Sequence, residues 1–101
     1  MLAGMIRLEF EKLHLPLRKL FLFGSRARQD YQSDSDWDFL AVCDKRLSFS
    51  EKRHIWSKLS LIFSDYSESV DLVIKGEEEF EADKNDTGKI SYYSFKYGIP
   101  L

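Results

Sequence analysis

Two aspartates one residue apart, Asp36 and Asp38, open an apolar run, and ten residues before them the pair Gly24-Ser25 ends another. Strand side chains alternate in direction, so the two carboxylates are expected on one face, with Trp37 and Phe39 on the other. Carboxylates about 4 Å apart repel by roughly 4 kcal/mol at an effective dielectric near 20, a cost that a cation between them removes. Mg²⁺ takes oxygen ligands and is commonly held by one or two carboxylates together with substrate phosphates. The pair is therefore a candidate site for Mg²⁺ or Mn²⁺. A third acid, Asp71, begins the apolar stretch "VDLVIK". Beside the pair it would either join the metal ligands or take a proton from an attacking hydroxyl. Gly24 lets the backbone approach a ligand closely, and the N–H groups that follow, with the Ser25 hydroxyl, would cradle phosphate oxygens. Arg26 and Arg28 add positive charge, making Gly24, Ser25 and Arg26 the candidate phosphate-binding residues.

Positioning these groups requires defined elements. Leu2, Met5, Ile6, Phe10 and Leu13 recur at helical spacing until Pro16, which predicts a first helix. "KLFLFG" from Lys19 to Gly24 reads as a buried strand, a short helical turn is expected within "SRARQDY", and "DWDFLAVC" reads as a second strand. Ser48 and Glu51 have capping-box spacing ahead of Ile55, Leu59, Ile62 and Phe63, the clearest helix in the chain. After turn-rich "SDYSES", residues Val70–Lys75 form the third expected strand. "GEEEFEADKND" reads as a solvated loop or short helix, with Glu77 to Glu81 a solvated face, and a last helix runs from about Lys89 to Gly98. Strands alternating with helices imply an α/β fold with a small mixed sheet of three to four strands. The connection between the first two strands is short, and a parallel crossover normally needs a dozen or more residues including a full helix, which favours an antiparallel pair. As antiparallel neighbours they bring Gly24-Ser25 beside Asp36 and Asp38.

At 101 residues, one domain covering 1–101 is expected. The net charge of −2 argues against a general nucleic-acid or anionic-membrane binder. The single cysteine, Cys43, permits no internal disulfide and reads as a core residue. No apolar stretch nears the roughly 18 residues that span a bilayer, and charges crowd the N-terminus, so a cytoplasmic location is expected. His14 and His54 are placed in helices without a partner at metal spacing. Tyr92, Tyr93, Phe95 and Tyr97 read as helix packing or a partner surface.

The stretch "GSRARQDYQSDSDWD" resembles the GS-x10-DxD signature of the minimal nucleotidyltransferase family, small members of the DNA polymerase beta-like nucleotidyltransferase superfamily. The resemblance implies a nucleotidyltransferase fold, metal on Asp36 and Asp38, triphosphate around Gly24 and Ser25, and Asp71 as the third acid. Gln29 departs from a common glycine and Trp37 from a usual aliphatic. Stand-alone members of this kind are commonly antitoxins that inactivate a HEPN-domain ribonuclease toxin by moving AMP from ATP to a tyrosine. That activity, with a toxin partner and no direct nucleic-acid or membrane role, is the leading expectation. The alternatives are a non-catalytic antitoxin that acts by binding, and transfer to a small molecule such as an aminoglycoside.

Overall fold

Ile6 and Phe10, four residues apart and both fully buried, give the first helix, α1 (Leu2–Lys12), the stripe by which it packs. The computed structural model describes residues 2–33, 35–66 and 69–101, so part of the turn-rich "SDYSES" lies outside the described residues. After α1 come β1 (Leu17–Phe23), a short α2 (Gly24–Arg28), β2 (Trp37–Cys43), α3 (Phe49–Ser64) and β3 (Val70–Gly76). The chain continues through α4 (Glu77–Asp83), α5 (Ile90–Tyr97) and β4 (Ile99–Pro100). The expected α/β architecture is present. Its four-stranded sheet has the order β3-β2-β1-β4, with β2 parallel to β3 and β1 antiparallel to both β2 and β4.

Connection length explains this topology. Among its described residues the segment between β1 and β2 has just the five-residue α2 and returns the chain antiparallel, whereas the 16-residue α3 is long enough to carry it back for a parallel pairing. Ser48 starts α3 with a reciprocal cap: its hydroxyl accepts from the Glu51 N–H at 3.2 Å, and its own N–H donates to the Glu51 carboxylate at 3.0 Å. The Trp56 indole of α3 donates to the Leu72 carbonyl at 2.9 Å, fixing the helix to β3.

β2 is buried on both faces. Phe39, Ala41 and Cys43 join Ile6, Phe10, Ile55 and Leu59 beneath α1 and α3, while Leu40 and Val42 meet Phe21 and Phe80 on the opposite face. Each large apolar side chain removed from water in this way contributes about 1.5–3 kcal/mol. Because strand side chains alternate, Asp38 belongs to the face of Leu40 and Val42, at the end where that apolar cluster stops. Cys43 is a core residue as expected, and burial pushes its thiol up to about 11.

Several local expectations are corrected. His14 lies beyond α1 rather than in it, at φ 56, because it closes the helix in a left-handed cap: its N–H donates to the Glu11 carbonyl and the Leu15 N–H to the Phe10 carbonyl, each at 3.0 Å. The acidic run is more than a solvated face: Phe80 within it is fully buried and stacks on Phe21 at 5.5 Å, and the Glu79 carboxylate accepts the Gly76 N–H at 3.1 Å. β1 begins at Leu17, which pairs with Cys43 ahead of a register shift. The fourth strand, β4, is held close to β1 by Gly98, where an added Cβ would lie 2.4 Å from the Ser94 carbonyl oxygen and 3.1 Å from that of Leu22. Pro100 is tolerated because β4 is an edge strand. Among the described residues, no helix is long and apolar enough to cross a membrane.

Candidate active site

The antiparallel register pairs Phe23 with Asp38, which brings the turn after β1 onto the first residues of β2. Gly24 sits there at φ +75, a conformation that L residues rarely adopt, and an added Cβ would fall 2.3 Å from Asp38 Oδ2. The carboxylate therefore occupies the space a side chain at position 24 would need. Gly24 was singled out in the sequence for its approach to a ligand; its immediate neighbour in the fold is Asp38.

On the other side of β2, the parallel register places Asp71 directly opposite Asp38. Residues opposite one another in a sheet point to the same side, so the two carboxylates share a face. Asp36 precedes β2 by one residue and is exposed. Both of the other acids act electrostatically on Asp38. Burial first, then the charges of Asp71 and Asp36, raise the Asp38 carboxyl above its ordinary 3.8, and Arg28 opposes them. A carboxylate held partly out of water beside two like charges is the arrangement a cation relieves. Among the described residues no three His, Cys, Asp or Glu side chains are already gathered as a metal-ligand set. The donors fit a hard cation nonetheless: they are carboxylate oxygens, and a Mg²⁺ site needs only one or two of these when phosphates and water complete it.

Ser25 is the second residue of α2, and its carbonyl accepts the Gln29 and Asp30 N–H groups, closing the helix. Gln29 is left-handed at φ 65, the backbone setting that glycine accepts most readily and the physical sense of the glycine common at this position in the resembled family. Arg26, expected among the phosphate-binding residues, has several partners within the chain. Its guanidinium lies 4.4 Å from the Tyr31 ring centre and 4.3 Å from that of Trp37, and donates to the Ser33 and Ser35 carbonyls. Arg28 is the arginine whose charge reaches Asp38, while its side chain also pairs with Asp30 at 3.2 Å.

Sequence reasoning missed Tyr31 and this use of Trp37 and Arg26. The available signal was two aromatic residues, Tyr31 and Trp37, flanking a short polar loop shortly after an arginine. An apolar cavity of about 460 Å³, lined by Leu22, Trp37 and Phe39 among others, lies on the α1 and α3 face, opposite Asp38, and is separate from the acid cluster.

A family model described as "Polymerase beta, Nucleotidyltransferase" matches residues 9–90, a span holding every candidate residue from Gly24 to Asp71. A solved toxin-antitoxin structure with AMP-PNP is similar, with a TM-score of 0.66 and 18% identity over 96% of this chain and 69% of that one. Two MntA-HpeT toxin-antitoxin structures are also similar, each at a TM-score of 0.64. A double aspartate-to-glutamate mutant is 17% identical over 99% of this chain and 70% of its own, and a tyrosine-to-alanine mutant 19% over 98% and 70%. At these identities the likeness is one of fold. No curated protein sequence matches the chain.

Proposed function

Because the chain belongs to the polymerase beta nucleotidyltransferase family, whose model spans most of it, we propose that it transfers AMP from ATP to a tyrosine hydroxyl of a partner protein. In this reading it is the cytoplasmic antitoxin of a HEPN-domain ribonuclease toxin. The observation that carries the enzymatic part is the placement of Asp38 between Gly24 and Asp71 at one end of the sheet. Two features of the similar structures support it: one was solved with AMP-PNP, and another replaces two aspartates that stand two positions apart, the spacing of Asp36 and Asp38. All three are toxin-antitoxin structures, which supports a toxin partner here.

Asp36, Asp38 and Asp71 are the residues that would hold Mg²⁺ or Mn²⁺, which when bound offsets phosphate charge and favours the deprotonated nucleophile. The chain's own groups do the rest. Gly24 leaves the turn bare of a side chain, Ser25 offers a hydroxyl, and Arg28 brings a cation to the carboxylates. If Asp71 serves as base, it accepts the tyrosine proton while the phenolic oxygen bonds to the α-phosphorus. The bond from that phosphorus to the bridging oxygen breaks, and pyrophosphate departs with the electron pair.

A binding-only antitoxin is the second reading, favoured by the outer side of α5, where Tyr93 and Tyr97 stack on one another and are each more than half exposed. Incubation with ATP labelled at the α-phosphate, Mg²⁺ and a candidate toxin separates the two. Label on the toxin supports transfer, whereas complex formation without label on any acceptor removes it.

A further inference from the structure

We infer that Arg26 is a positioning residue, which clamps the loop between α2 and β2 and thereby sets Asp36, rather than a ligand of the nucleotide phosphates. Asp36 follows Ser35 directly, so whatever fixes the Ser35 carbonyl fixes the backbone entering Asp36. Arg26 does this twice, through Nη2 at 3.0 Å and Nε at 3.3 Å, and Nη2 also lies 3.3 Å from the Ser33 carbonyl. The Tyr31 and Trp37 rings, at 4.4 and 4.3 Å, cover the same guanidinium. A planar guanidinium can stack on aromatic faces while donating within its plane, and an ammonium cannot do both. The loop also closes on itself, with the Ser35 N–H donating to the Gln32 carbonyl at 3.1 Å and the Gln32 N–H to Ser35 Oγ at 2.8 Å. Those two amides therefore report whether the loop is held. Trp37, where an aliphatic residue is usual in the resembled family, supplies one wall of the clamp, so the substitution and the use of Arg26 belong together.

The link from loop to metal rests on the nucleotidyltransferase reading, so the test has one readout that does not. Arg26→Lys, Trp37→Leu and the surface variant Tyr31→Ala are compared with wild type by hydrogen exchange at the Gln32 and Ser35 amides. Mg²⁺-dependent AMP-PNP binding is then measured by calorimetry on the same samples. Each variant is expected to speed exchange at both amides and to raise the half-saturating Mg²⁺ concentration by about tenfold, the lower end of what loss of an outer-shell partner does to a metal site. AMP-PNP binding without Mg²⁺ should stay unchanged. A direct phosphate ligand gives a different pattern, with Arg26→Lys retaining affinity, the two aromatic variants silent and exchange unaltered; that result overturns the proposal. Faster exchange with unchanged Mg²⁺ dependence also overturns it, since the clamp would then hold the loop without setting Asp36. If wild type binds no AMP-PNP at any Mg²⁺ concentration, the nucleotidyltransferase reading fails together with Arg26's role toward Asp36, while exchange still decides whether the clamp exists.

Discussion

Gly24 and Asp38 fit each other: the Cβ that glycine lacks would fall 2.3 Å from Asp38 Oδ2 and 3.2 Å from its Cγ. Gly24→Ala must therefore displace the carboxylate as well as strain the backbone at φ +75. The left-handed backbone alone costs an L residue about 1 kcal/mol or somewhat more. For a domain of this size, about 1 kcal/mol lowers Tm by about 4–8 °C. Function should suffer more. Thermal melts of Gly24→Ala with and without Mg²⁺ and AMP-PNP are expected to show that modest loss together with disappearance of the nucleotide-induced rise. A variant that melts early yet keeps the full rise would make Gly24 an ordinary turn residue.

Asp38 carries a stability cost that grows with pH. Its carboxyl is raised by burial and by Asp71 and Asp36, against Arg28, so the folded chain keeps this proton where the unfolded chain has released it. Stability from this group is thus greatest below 3.8 and declines as pH rises from there through the raised folded value. Asp38→Asn removes the ionised form. The variant should melt at a higher temperature than wild type at pH 7, with the two curves converging towards pH 3. Added Mg²⁺ should raise the wild-type Tm and leave the variant nearly unchanged. Equal stabilities across the whole pH range would remove the proposed tension among the three acids.

Much of this geometry was legible because chain length constrains it. The connection from β1 to β2 carries the five-residue α2 rather than a full crossover helix, which favours antiparallel pairing, and the length of α3 allows β3 to return parallel, so the union of Gly24, Asp38 and Asp71 follows from connectivity. Arg26 was not legible in the same way. Two of its acceptors are backbone carbonyls, which look alike in any sequence, and which of them it meets depends on the path of the loop. Phe80 was hidden by the glutamates around it, since one apolar residue makes no period. The two-residue β4 carries no alternation at all.

Gln29 offers a stabilising change at the edge of the same site. It is exposed, and among the described residues its left-handed backbone at φ 65 makes the N–H bond to the Ser25 carbonyl that glycine would keep. Relief of the left-handed strain is worth about 1–2 kcal/mol, and the extra freedom of glycine in the unfolded chain takes back about 0.4–1 kcal/mol. Gln29→Gly is therefore expected to gain about 0.5 kcal/mol in urea unfolding, with nucleotide binding intact. A clear loss of stability would mean that the glutamine side chain holds the loop in a way its exposure does not suggest.

Asp71 separates the enzymatic antitoxin from the binding-only one. It lies opposite Asp38 but is exposed and on the edge strand, remote in sequence from the Gly24-Ser25 turn. Triphosphate binding should thus depend more on Gly24, Ser25, Asp36 and Asp38 than on Asp71. Asparagine has nearly the shape of aspartate, so Asp71→Asn should keep the fold, the outer face of α5 and much of the nucleotide affinity. Transfer should fall by about 10²–10⁴-fold if Asp71 is the general base. Co-expression with a cognate toxin converts that loss into an outcome, provided complex formation and toxin mass are measured alongside survival. The enzymatic reading expects an intact complex, no added AMP mass and lost protection. Full protection by Asp71→Asn from a complex bearing no nucleotide would instead establish neutralisation by binding.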